Sequence, residues 1–221
     1  MRKLALLVAL LPIVAAGCHH RMGSEIQGSG KREMQKRPIA PFTSIDTKGA
    51  FNIVVTCQKE LSLEVEGDDN VLNYVTAEVS NNVLRLSNSR SFSVNEPVTF
   101  KISVPNLEGL SVSGAGNIEI KGMKNDKFEI DSSGAPSITV SGTTQIVDID
   151  TNGAGRIDTR NLHASRGVVE SNGVSKVDVD VADQLDVTVS GPSSVTYKGD
   201  PVVNKTVNGP GKVERRGSEG A

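Results

Sequence analysis

Residues 113–118 read SGAGNI, 133–138 SGAPSI, 152–157 NGAGRI, 172–177 NGVSKV, 190–195 SGPSSV and 208–213 NGPGKV. Their shared glycines, Gly114, Gly134, Gly153, Gly173, Gly191 and Gly209, lie 20, 19, 20, 18 and 18 residues apart. A seventh copy, KGAFNI at 48–53, sets Gly49 in the same place upstream of a longer insertion. Self-similarity at a near-constant period marks a chain built from stacked structural units.

Around each glycine the apolar residues alternate with period two and keep their phase from copy to copy. Ile45, Leu110, Ile130, Ile149, Val169 and Val187 stand four residues before it; Ile53, Ile118, Ile138, Ile157, Val177, Val195 and Val213 stand four after. Alternation of this kind places one set of side chains on one face of a strand. Val55, Ile120, Val140 and Val179 continue the inward set at six after, and Gly122, Gly142, Gly199 and Gly217 follow at eight after. Each repeat therefore reads as strand, glycine bend, strand, glycine corner.

A unit of 18–20 residues cannot bury its apolar side alone, whereas stacked units can. If each repeat is one coil, equivalent strands pair in parallel and the matching Ile and Val residues form ladders down a narrow interior. The expected fold is an all-β, right-handed parallel β-helix, a β-solenoid, since crossover connections favour that hand. Six consecutive coils spaced by about 4.8 Å make a rod of roughly 29 Å. An antiparallel sandwich also uses short alternating strands but gives no reason for one hexapeptide to recur. Residues 57–105 are expected to cover the open end of the stack, with strands at 61–67, 83–87 and 98–105 and a short helix over 68–79 capped by Asp68 or Asp69.

The 221 residues include 22 Gly and 9 Pro but no Trp and only 7 Phe and Tyr together, which suits many short strands. Two cysteines cannot make a disulfide scaffold. Residues 1–37 hold seven Lys and Arg against two Glu, leaving 17 basic and 24 acidic residues, a net of −7, in 38–221. That acidic body lacks the basic surface that nucleic-acid binding requires.

The first segment carries an address. Arg2 and Lys3 precede an apolar stretch from Leu4 to Val14, and Ala15, Ala16 and Gly17 lead to Cys18. This pattern predicts a signal peptide over 1–17, and Ala-Ala-Gly-Cys resembles the bacterial lipobox, so Cys18 is the expected lipidation site. The alternative is an ordinary secretory signal cut near Gly17. His19 after Cys18 is not the Asp that resembles an inner-membrane retention signal, which favours the outer membrane in a Gram-negative host. No other apolar run is long enough to span a bilayer. Residues 18–37 are polar and read as a flexible tether reaching on the order of 25 Å; His19 and His20 lack the further ligands of a closed metal site. A single domain then covers 38–215, with a disordered tail at 216–221.

FTSIDTKGAFNIVV, LEVEGDDNVLNYV and VTFKISVPNLEGLSVSGAGNIEI, followed by serial SGA and NGA units, resemble the bacterial auto-transporter adhesin head GIN domain family over residues 38–215. The resemblance implies a right-handed β-helix in exported, often lipidated envelope proteins, and it brings no catalytic residues and no assigned ligand. Cys57 departs from it, standing where a small turn residue is expected.

Function is weighed between two classes. The first is a non-catalytic envelope lipoprotein, an adhesin-like binding or scaffold module whose partners are the membrane, through its lipid, and an envelope protein or polysaccharide. The second is a polysaccharide-processing β-helix enzyme using outward carboxylates. Asp131, Asp150 and Glu170 fall on successive coils, flanked by Ser111 and Thr188, and Glu119, Asp158 and Asp178 form another outward set. Carboxylates stacked about 5 Å apart repel, which suits a cation ladder at Asp131, Asp150 and Glu170 or acid/base work; the plainer reading is a solvated acidic face. With His163 the one histidine of the body and no Trp to stack on sugars, no catalytic residue, metal site or cofactor is assigned. Ser113, Ser133, Asn152, Asn172, Ser190 and Asn208 would form a polar file before the glycines. Cys57 shares the parity of Ile53 and Val55 and should be a buried, inert thiol.

The phase makes a direct prediction: Ile138→Asp puts a charge into the interior and should cost about 3 kcal/mol or more, whereas Asp150→Asn should change stability by less than about 1 kcal/mol. Thermal melts of both variants decide it, equal effects meaning that the two faces are interchanged.

Overall fold

A computed structural model describes residues 25–217. The signal peptide, Cys18, His19, His20, the first part of the tether and residues 218–221 lie outside the described residues.

The seven glycine units stack in parallel, and the registry is the one their phase predicts. Strands β3 (Ser44–Thr47) and β4 (Asn52–Cys57) flank Gly49, and β10 (Gly109–Val112) and the start of β11 (Ala115–Ser132) flank Gly114. Strands β12 (Ala135–Thr151), β13 (Arg156–Ser171) and β14 (Lys176–Ser190) each leave one glycine and run on to the next. The stack closes with β15 (Ser194–Lys198), β16 (Val202–Asn208) and β17 (Lys212–Arg215). Thus β11 pairs with β4 through its first part and with β10 through its last. A coil has a wall entering the glycine corner, a wall leaving it, and an opposite edge joining the two.

On the entering wall Leu84, Ile45, Leu110, Ile130, Ile149, Val169 and Val187 follow one another in register. On the leaving wall the ladder is Phe100, Ile53, Ile118, Ile138, Ile157, Val177, Val195 and Val213. All of these except Val213 are buried, Ile138 at 0% exposure. Every pairing between coils is parallel, so the fold is a β-solenoid and not a sandwich.

The glycines are required by the neighbouring coil. The Gly114 carbonyl accepts a hydrogen bond from the Ala135 N–H, and the Gly134 carbonyl accepts one from the Ala154 N–H, both at 3.0 Å. A Cβ on Gly134 would lie 1.9 Å from the Gly114 oxygen, and the same distance separates a Cβ on Gly153 from the Gly134 oxygen. In the sixth coil Pro192 follows the glycine and has no N–H to give. The Gly173 carbonyl there accepts from the Ser193 hydroxyl at 2.8 Å.

The insertion between the first two coils caps the stack, as expected, by prolonging both walls. Beyond β4 lie β9 (Thr99–Val104), then β5 (Ser62–Asp68) and β2 (Arg32–Lys36), the last two joined antiparallel. Beyond β3 lie β7 (Val83–Asn88) and the antiparallel β6 (Val75–Ser80). The reversal of direction ends the parallel repeat, and Phe51 against Phe100, edge to face at 5.2 Å, fills the end of the core with Leu63, Leu72 and Val98. A two-residue pair, β1 (Ile26–Gln27) with β8 (Phe92–Ser93), lies apart from the main sheet.

Three expectations are corrected here. The helix over 68–79 is a single 3-10 turn at Leu72–Tyr74 followed by β6, because Val75, Ala77 and Val79 alternate toward β7. Asp68 caps no helix; it is buried, accepts from the Gly30 N–H at 3.0 Å and faces Arg32 at 3.8 Å. The tether through 37 is too long, since β2 pairs with β5 and Arg37 donates to the carbonyls of Val75 and Leu72 at 2.6 and 2.8 Å. An edge strand of a cap needs no apolar face, so its composition looks like linker. Nor does the tail begin at 216, for the Arg216 N–H bonds the Tyr197 carbonyl at 2.8 Å. The corner beside Cys57 is formed one residue later, where Gln58 adopts φ 61° and its side-chain amide donates to the carbonyls of Pro105 and Lys124.

At the far end Lys205 occupies the inward ladder position above Val187. Lys205 is exposed there, and a charge at an inward register position of a terminal strand discourages further strand addition.

Gly134→Ala should destabilise the protein by about 3 kcal/mol or more, because the methyl meets a backbone carbonyl already committed to a hydrogen bond. Gly217→Ala, with nothing within 4 Å of the added Cβ, should be near neutral. Denaturant unfolding of the pair tests this; a mild Gly134→Ala would remove contact between coils as the reason for the motif.

Candidate functional site: the slipped edge and its two grooves

The walls tolerate no change in length, so the differences among coils of 18, 19 and 20 residues fall on the edge opposite the glycines. Register slips there between Ile120 and Met123, Thr139 and Ser141, Thr159 and His163, and Ala164 and Arg166. Bulges re-aim side chains, and this edge gathers polar and charged groups from coils far apart in sequence.

Two grooves open along it. The one near the cap, about 830 Å³, is lined by Gln58, Asn106, Glu108, Asn125 and Glu129 among others. The one toward the far end, about 1080 Å³, is lined by Arg160, Asn161, Lys198, Asp200, Arg215 and Arg216.

Behind the second groove lies a ladder of acids held by arginines. Asp178 belongs to the outward set yet is completely buried. Its Oδ2 accepts from Arg156 Nη2 at 3.1 Å and its Oδ1 from Arg216 Nη2 at 2.7 Å. A buried carboxylate of this kind is stable only when paired on both oxygens. Asp158, in register one coil earlier, takes the Arg160 backbone N–H at 3.2 Å and the Arg160 guanidinium by two of its nitrogens, Nε at 2.8 Å. Those Arg160 hydrogen bonds, outweighing the cost of burial and helped by the charges of Arg160 and Arg156, hold the Asp158 carboxyl below the usual carboxylate range. Alongside, Asp180 Oδ2 meets His163 Nδ1 at 2.8 Å and Lys198 Nζ at 3.2 Å.

The sequence-derived candidates separate accordingly. Asp131, Asp150 and Glu170 do stand in register on successive coils, between Ser111 and Thr188, and Asp46 extends the file. Asp150 accepts from the Asn152 amide at 2.9 Å. Among the described residues no group of three or more His, Cys, Asp or Glu side chains is gathered as a metal site. The set Glu119, Asp158 and Asp178 is not a solvated acidic face, since its last member is buried under arginine. A general acid needs a raised pKa, and Asp158 has the opposite. The polar file before the glycines is joined at Asn172, whose amide donates to Asn152 Oδ1 at 3.2 Å.

Cys57 is a buried, free thiol whose pKa is pushed up to about 11 by burial. Arg156, Arg160, Arg216 and Asp180 were missed in the sequence. Writing the coils as rows would have brought Arg156 beside Asp178; nothing in the period points to Arg216, 38 residues from its partner.

The chain matches the family model described as "Putative auto-transporter adhesin, head GIN domain" over residues 41–201. A "putative adhesin" from Bacteroides fragilis is 26% identical, with a TM-score of 0.70 over 86% of this chain and all of that one. A "putative adhesin" from Parabacteroides merdae, 20% identical, gives 0.51 over 87% of this chain and 99% of that one. A "Putative lipid binding protein" from Parabacteroides distasonis, also 20% identical, gives 0.50 over 88% and 100%. No match was found among curated proteins.

A carboxyl with a depressed folded pKa stabilises above its unfolded value, about 3.9, and loses that contribution as pH falls through the folded value. Wild type should therefore lose stability more steeply than Asp158→Asn on acidification below about pH 4. Melting temperatures between pH 6 and pH 3 measure the two slopes, and equal slopes would deny Asp158 its role.

Proposed function

Because the chain belongs to the auto-transporter adhesin head GIN domain family across residues 41–201, we propose that it is a non-catalytic, adhesin-like binding and scaffold module of the cell envelope, attached to a membrane through a lipid on Cys18. The observation that carries this reading is the registered outward file on the entering wall. Asp46, Ser111, Asp131, Asp150, Glu170 and Thr188 each come from a different coil and repeat at the strand spacing of about 4.8 Å. A stiff wall with a short repeat suits a partner that itself repeats or is met at many points, such as an envelope polysaccharide or protein.

The attachment rests on the first 18 residues. A positive pair, an apolar stretch and three small residues before a cysteine supply what lipoprotein processing reads. Among the described residues no helix is long and apolar enough to cross a membrane. In a Gram-negative host the residue after Cys18, His19 rather than the Asp that resembles an inner-membrane retention signal, favours the outer membrane.

Metabolic labelling with a fatty-acid analogue should mark the wild-type protein and not Cys18→Ser, and crosslinking in intact envelopes followed by pull-down should recover the partner. Label that persists in Cys18→Ser would sink the attachment.

A further inference from the structure

We propose that the far groove of the slipped edge binds phosphate groups, with Arg216, Arg215 and Lys198 as the recognising side chains and Arg160 beside them. The inference deepens the binding-module reading and rests on it only for the view that the protein has a ligand.

The first ground is charge. The body carries a net of −7, yet at the groove of about 1080 Å³ Arg156, Arg160, Lys198, Arg215 and Arg216 stand against Asp158, Asp178, Asp180 and Asp200, a local net of +1. A concave site with a slight positive excess is where an anion is least repelled on an otherwise acidic molecule. The groove near the cap offers no such excess, for its lining sets Lys124 and Lys127 against Glu108, Asp126 and Glu129.

The second ground is preorganisation. Asp178 is wholly buried and takes Arg216 through Nη2 and Arg156 through Nη2. Asp158 takes Arg160 by its backbone N–H and two guanidinium nitrogens. These carboxylates sit behind the groove and hold the guanidinium groups of Arg160 and Arg216, so a ligand need not order those two side chains on arrival. Arg215 reaches Asp200 at 3.1 Å through Nη1, and Lys198 reaches Asp180 at 3.2 Å. Asp200 is 90% exposed, so its hold on Arg215 is a solvent-screened pair that a dianion can displace or share.

The third ground is shape. Forked donors from two coils, Arg160 on one and Arg215 and Arg216 on the other, line an open trough, and several forks suit tetrahedral oxygens better than a single planar carboxylate. The residues come from three levels of the stack, at 160, 198–200 and 215–217, so the spacing between donors is set by the coil repeat.

The test uses the full chain carrying Cys18→Ser, so that it stays in solution. Titration calorimetry with inorganic pyrophosphate at low salt should show saturable binding below about 1 mM that weakens as salt rises. Lys198→Ala with Arg215→Ala should weaken it about tenfold or more; both side chains are more than half exposed, at 59% and 55%, so the fold should hold, and an unchanged melting temperature checks this. Arg215→Glu should abolish binding. Vesicles of phosphatidylglycerol, with phosphatidylcholine as the control, distinguish the source of the phosphate. Co-sedimentation relieved by pyrophosphate identifies a lipid headgroup, whereas pyrophosphate binding without co-sedimentation identifies a soluble phosphorylated ligand; either supports the site. Absence of saturable binding, binding indifferent to these substitutions, or displacement of pyrophosphate by a tighter-binding polyuronate would overturn it. None of these outcomes bears on fatty-acid labelling or on the envelope pull-down, so failure here leaves the attachment standing.

Discussion

The structure depends on one hydrogen bond made again at four successive corners. The carbonyl of each motif glycine from Gly49 to Gly153 accepts the N–H of the residue after the next glycine, at 3.0 Å, and the approach leaves no space for a Cβ. Glycine is thus fixed by the coil beneath it rather than by its own turn. With the corners held at one height, the walls have no freedom of register, and the branched residues four before and four after each glycine must fall on one another. Burial of those ladders supplies the cohesion; the glycine contact decides which residues meet.

That division explains what the sequence disclosed. Ile118, Ile138 and Ile157 each report the same structural position, so the alternation around one glycine is checked by its neighbours, and the walls can be read without a structure. The cap has no such redundancy. Val75 to Ser80 carries a pattern that suits a helix or a strand, and only the edge of β7 settles it. Arg32–Lys36 is polar because it lies on the outside of the cap, which makes it indistinguishable from linker until β5 is placed beside it. The acid and arginine ladder was half visible. The outward parity of Asp158 and Asp178 follows from the period, but their neutralisation comes from side chains that reach diagonally across coils, and period-two reasoning has nothing to say about diagonals.

The two ends of the rod are managed differently. At the first, strands running the opposite way finish both walls, and Arg37 fastens the incoming chain to the 3-10 turn by two carbonyls. At the other, Lys205 enters the ladder where six coils have placed Leu, Ile or Val, and Arg216 returns to a carboxylate two coils below. One end is closed by topology and the other by charge. Both answer the same hazard, an uncovered strand edge ready to pair with another chain.

The slipped edge separates what must stay constant in this molecule from what can change. A residue gained or lost on either wall would shift every following side chain to the wrong face, whereas one gained between Thr159 and His163 is taken up by a slip already present. Length variation is therefore confined to a single line along the rod, and the same line carries both grooves. The molecule resembles a frame with one interchangeable border: descendants of this chain could acquire a new recognition surface by small insertions there while inheriting the interior untouched, much as loops on an immunoglobulin framework diversify without disturbing the sandwich that holds them.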